Sequence, residues 1–267
     1  MANNGNASPV RRLVIRVSRH SLSFSTTEGS EVVYVPYPLK SSISIAANMR
    51  EALQSVPLLG QSYGRVLVMV DSPVLMIPAD QFAEDTMETY YQQAFTHCEQ
   101  QVIAYTILSD LNSVAVFSVA KDLRTVLQDA FGEVRFVAAL APLWRHLNQR
   151  SYTGPHSKLY AYFHEKKLDI FSFAQNRFKF CNSFAFNSTD DAIYYILAAW
   201  KQLGMTAEHD ELFLTGDMTG HDSLKDELEK FIKRVFVINP VGEFNRASVA
   251  QIPGIPYDLV TLYVKGL

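Results

Sequence analysis

The sequence predicts a duplicated mixed α/β fold, in which each half runs through a β-hairpin, a further strand, a helix and another strand. Three observations carry that expectation. Residues 13–70 and 159–214 present strand and helix signals in the same order. Arg65–Val70 (RVLVMV) is a continuous apolar run, the pattern of a strand covered on both faces. Between the halves, Ser151–Ser157 (SYTGPHS) is rich in small and turn-forming residues, which makes it the best boundary. The repeat is one of architecture and not of residues, and a duplication with a cleft between halves is its simplest explanation.

The elements follow in order. Leu13–Val17 is a strand that turns at Arg19-His20 into Leu22–Ser25, and Glu28-Gly29-Ser30 turns the chain again into Val32–Tyr37. Ser44–Val56 puts Ile45, Met49, Leu53 and Val56 on one helical face. After Arg65–Val70 come a short strand at Val74–Ile77 and a helix through Met87, Tyr91 and Phe95, with Asp80 as its expected cap. Val102–Leu108 and Val114–Val119 are β-rich around a turn at 109–113. A helix over Asp122–Phe131, a strand at Val134–Val137 and a helix at Pro142–Arg150 close the first half.

The second half opens with Leu159–Phe163 and Leu168–Phe173 on either side of the charged turn Glu165-Lys166-Lys167, and Gln175-Asn176 turns into Phe178–Phe186. Asn187-Ser188-Thr189-Asp190 is an N-cap cluster for a helix through Ile193, Leu197 and Trp200, ended by Gly204. Leu212–Leu214 reads as a strand, Ser223–Ile232 as a helix, and Val235–Ile238 as a strand halted by Pro240. Pro256–Val264 fits helix and strand equally. The aromatics, those from Phe178 to Phe186 included, are expected mostly in the core, although their alternation also suits an exposed sheet face. The domains expected are a polar tail at 1–10, a first half at 11–152 with an inserted subdomain at about 73–110, and a second half at 153–267.

Composition narrows the function. With 267 residues, 48% of them hydrophobic and 19% charged, the chain has ample material for a core. A net charge of −3 argues against a nucleic-acid-binding surface. No run approaches the ~18 apolar residues that span a bilayer, and no export signal is visible, so a cytoplasmic protein without membrane insertion is expected. Cys98 and Cys181 stand far apart without metal-ligand spacing, as free buried thiols would.

The segments LVIRVSRHSLSF, KLYAYFHEKKLDIF and LFLTGDMTGHDSLKDELEKFIKRVFVINP carry a resemblance. From about Leu13 onwards the chain resembles the actin-like ATPase superfamily, whose halves are ribonuclease-H-like, and above all its pilus-assembly and secretion branch. More narrowly, it is similar to a Bacteroidetes family of unknown function, DUF3822. The resemblance implies an Asp followed two residues later by Gly in the first strand of each half, the Asp to hold Mg²⁺ through water and the Gly to admit phosphate. Here those places fall on Arg16 and Ser18, and on Tyr162 and His164. A cation and a phenol replace the two carboxylates, so ATP hydrolysis is not expected. Gly216, Asp217 and Gly220 resemble the turn beneath the adenosine, although Asp217 stands where glycine is frequent. An ordinary strand-to-helix turn would need the same glycines.

Arg16, Ser18, Asp71, Tyr162 and His164 are therefore the cleft candidates. Asp71 is included because α/β folds place ligand groups at strand C-termini. Arg11, Arg12, Arg16, Arg19 and His20 concentrate positive charge on the first hairpin, mostly as a solvated face. His156, His164 and Glu165 lack metal spacing, and Asp210-Glu211 and Asp226-Glu227 are expected on the surface. Neither catalytic residue, metal nor cofactor is expected. The function expected is that of a non-catalytic scaffold or binding module with an unknown protein partner. The alternative is a nucleotide sensor that binds ATP or ADP without efficient hydrolysis.

Overall fold

The computed structural model describes residues 11–152, 154–175 and 177–267. The expected tail at 1–10 lies outside the described residues, as do Thr153 of the expected boundary and Asn176 of the expected turn. In chain order the first elements are β1 (Arg12–Val17), β2 (Ser21–Glu28), β3 (Glu31–Pro38), α1 (Ile45–Ser55), β4 (Arg65–Val70) and β5 (Val74–Pro78). There follow α2 (Met87–Ala94), β6 (Gln101–Leu108), β7 (Ser113–Ala120), α3 (Lys121–Phe131), β8 (Val134–Ala138) and α4 (Ala141–Ser151). The remainder forms β9 (Lys158–His164), β10 (Lys167–Ala174), β11 (Arg177–Ala185), α5 (Thr189–Gln202), β12 (Glu211–Gly216), α6 (Leu224–Glu229), β13 (Val235–Ile238), α7 (Pro240–Glu243) and α8 (Tyr257–Lys265).

The duplication is plain in the sheets. One is ordered β3-β2-β1-β4-β8 and the other β11-β10-β9-β12-β13, while β5, β7 and β6 form a three-stranded sheet in the order β5-β7-β6. In each five-stranded sheet the hairpin pairs antiparallel and its first strand runs parallel to the strand that follows the helix. These are the mixed sheets of an actin-like, ribonuclease-H-like duplication.

By contacts the chain forms two compact units, which follow packing more than chain order. The first comprises the residues up to Ser72 together with Met87–Thr106 and Val116–Ala139. The second comprises Pro73–Thr86, Ile107–Ala115 and Leu140–Leu267. In the first unit Leu13, Ile15, Leu22, Phe24, Met49, Val68 and Leu127 are wholly buried. Asn48 knots its loop together there, donating to the carbonyls of Lys40 and Ser44 at 3.1 and 3.0 Å and accepting from the amide of Lys40 at 2.8 Å.

In the second unit the core lies between the sheet and two helices, with Leu159, Ala161, Phe163, Leu168 and Ile170 against Ile196 and Trp200 of α5 and Leu224 and Leu228 of α6. Ser188 caps α5 through a reciprocal capping box with Asp191. The β9–β10 turn takes φ of 48° at Glu165 and 61° at Lys166, the left-handed pair that a two-residue hairpin demands. On the opposite sheet face Trp144 of α4 meets Phe178 edge-on, with ring centroids 5.5 Å apart. Such aromatic contacts, with the buried Leu143 and Leu147, explain why α4 groups with this unit.

Several expectations are corrected. The helix expected from Asp80 begins only at Met87, because the chain after β5 first makes turns closed by Gln81 N to Pro78 O and Thr86 N to Ala83 O. The undecided segment at Pro256–Val264 is helix α8, whose Leu259, Val260 and Leu262 are buried. The aromatics of β11 are not an exposed face. A β-bulge opposite Ser172/Phe173 sends Phe178 towards Trp144, while Phe184 stacks on Tyr195 at 4.4 Å. Both cysteines are free, yet half-buried instead of buried.

Candidate functional site

Within each unit the site is built at the tip of the first hairpin. Register fixes the correspondence: Arg16 pairs with Met69 and Val17 with Val70, while Tyr162 pairs with Thr215 and Phe163 with Gly216. One residue further on, Asp71 N donates to Val17 O at 2.8 Å and Asp217 N donates to Phe163 O at 2.8 Å. Arg16 and Tyr162, Ser18 and His164, and Asp71 and Asp217 therefore occupy matching places in the two copies of the fold.

In the first unit Arg16 is only 2% exposed, so the expectation of a solvated cation fails for this residue. It lies on β1, the central strand of its five-stranded sheet, whereas Arg19 and His20 at the turn are exposed. Arg11 is engaged by Glu28 and Gln61. Ser18, also buried, closes the hairpin from within: its Oγ accepts from Ser21 N at 3.0 Å and donates to Ser21 O at 3.0 Å. That hydroxyl is committed to the turn. Asp71 is half-buried at the end of β4.

In the second unit Tyr162 is 1% exposed. Its ring stacks on His164 at 4.7 Å and its hydroxyl donates to Asp258 Oδ2 of α8 at 3.4 Å. His164 Nε2 meets Asp169 Oδ2, Ser183 Oγ donates to Asp169 Oδ1, and Lys167 Nζ stands 3.6 Å from the same oxygen. Burial pushes the Asp169 carboxyl upward, but the Lys167 charge and the bonds from His164 and Ser183 outweigh it and hold the group below the usual carboxylate range. The sequence reading missed Asp169 and Asp258. For Asp169 a signal existed: a lone acid within the apolar run LDIF, which alternation places opposite Leu168 and Ile170.

Gly216 ends β12 at φ +98°, and a Cβ there would lie 2.1 Å from Phe163 O and 2.8 Å from the Tyr162 ring. The space beside this glycine is thus filled by the protein itself. Asp217 Oδ1 accepts from Thr219 N at 3.1 Å, closing an Asx turn, and Gly220 (φ +79°) has open space around it. The remaining candidates disperse: His156 stacks on His209, and Glu211 is tied to Arg234 instead of lying free on the surface.

A second polar cluster, also missed, fastens the C-terminal segment. Glu243 of α7 takes Arg150 Nη1 at 2.9 Å and His146 Nε2 at 3.1 Å, both from α4, and the Tyr257 hydroxyl donates to its other oxygen. Burial raises the Glu243 carboxyl, yet the bonds from His146 and Tyr257 and the Arg150 charge hold it below its ordinary value. Burial and that same carboxylate push the Tyr257 phenol upward, and burial raises the Tyr160 phenol to about 12.

The donor set does not fit the magnesium nucleotide that the fold suggests. Hard cations want several oxygen ligands, carboxylates foremost, and the two hairpin positions offer a guanidinium and a neutral phenol. Among the described residues no group of three or more His, Cys, Asp or Glu is placed to hold a metal ion.

Comparison with known proteins agrees with the fold. The model of the family described as protein of unknown function (DUF3822) matches residues 2–235. A protein of unknown function with an actin-like ATPase fold from Bacteroides thetaiotaomicron VPI-5482 is 30% identical. It covers 94% of this chain and 100% of its own length, with a TM-score of 0.82. The PilM-PilN type IV pilus biogenesis complex provides a chain that is 12% identical, covering 96% and 98% of the two chains with a TM-score of 0.59. No curated protein matches.

Proposed function

We propose that this chain, which belongs to the DUF3822 family of proteins of unknown function, is a non-catalytic actin-like protein that serves as a scaffold or protein-binding module in the cytoplasm. One observation carries the proposal. The two matching hairpin positions hold Arg16 and Tyr162, both buried, where metal-facing carboxylates are expected of an active member. A guanidinium repels Mg²⁺. A phenol brings no charge at neutral pH, and here its ring occupies the room beside Gly216. Phosphoryl transfer in nucleotide-hydrolysing folds rests on metal-neutralised phosphates, so retention of the architecture points to binding in place of turnover. No described helix is long and apolar enough to cross a membrane.

Titration calorimetry with ATP and ADP, with and without Mg²⁺, tests this, together with a phosphate-release assay and a native pull-down. The expected result is no magnesium-dependent binding, no turnover and a recovered partner protein. Magnesium-dependent hydrolysis would overturn the proposal.

A nucleotide sensor without hydrolysis is the second reading, favoured by the two positive-φ glycines, Gly216 and Gly220, in the turn after β12. It expects nucleotide at 100-fold excess over Kd to stabilise the fold by about 2.7 kcal/mol. No thermal shift at millimolar nucleotide disposes of it.

A further inference from the structure

We draw no further inference here: the strongest candidate, the edge of the second unit's sheet at β13, where Phe236 and Val237 are 41% and 47% exposed, is an unpartnered apolar edge, and nothing in the structure shows what covers it.

Discussion

Replacing Gly216 with alanine tests the packing argument most directly. The new methyl would sit 2.1 Å from Phe163 O and 2.8 Å from the Tyr162 ring, at a φ of +98° that side chains rarely adopt. Backbone strain of this kind costs about 1–3 kcal/mol, and forcing an extra methyl into a filled space costs about 1–3 kcal/mol more. The displaced carbonyl also accepts the Asp217 amide at 2.8 Å, a bond that would stretch. Together the substitution should destabilise by about 2–6 kcal/mol. For a unit of this size that is a fall in Tm of about 4–24 °C. Gly220→Ala is the control, since its φ is also positive but no atom lies within 4 Å of the added methyl. It should cost only about 1–2 kcal/mol. Thermal melts of both variants, followed by circular dichroism, decide the matter. Equal losses in the two variants would mean that contact with Phe163 and Tyr162 is not what requires Gly216, and an unchanged Tm for Gly216→Ala would refute the reasoning altogether.

Other outcomes follow from the buried polar groups. Asp169→Asn should cost about 3–5 kcal/mol, because it removes the buried anion that faces the buried His164 and the half-buried Lys167. The Asp169 carboxyl is held below its unfolded value, so its contribution is present above about pH 4 and disappears as the pH falls further. Melts from pH 7 to pH 2 should therefore show an acid-dependent loss in the wild type that is smaller in Asp169→Asn; parallel curves would count against the assignment. Glu243→Gln should lower stability by about 1–3 kcal/mol by depriving Arg150 and His146 of a charged acceptor. Hydrogen exchange should report that loss first in residues 240–265. Ser188→Ala removes the side-chain half of the α5 capping box and should cost about 1 kcal/mol in denaturant melts.

Much of the fold was legible in local pattern. The hairpins, the α1 and α5 helices and β4 stand where periodicity and caps place them, because each rests on short-range rules: alternation, a Ser cap, a continuous apolar run between turns. The places of Arg16 and Tyr162 near the ends of β1 and β9 were legible too once the resemblance to the actin-like superfamily pointed to them, since they then depend only on counting along a recognisable strand. Pro256–Val264 was not legible, because nothing local separates helix from strand there. Packing of Leu259, Val260 and Leu262 into the interior decides for helix.

The sequence by itself determined the duplicated order of elements and the presence of a guanidinium and a phenol at two matching positions, both consequences of residue type and short spacing. Tertiary structure alone decided that Arg16 is buried, that Asp258, 96 positions along the chain, meets the Tyr162 hydroxyl, and that Gly216 lies against the Phe163 carbonyl and the Tyr162 ring. The same holds for Glu243, which gathers residues 93 and 97 positions away. Burial and long-range contact arise only when strands distant in the chain are brought into register. A linear pattern carries no record of which side chain will fill the space next to another.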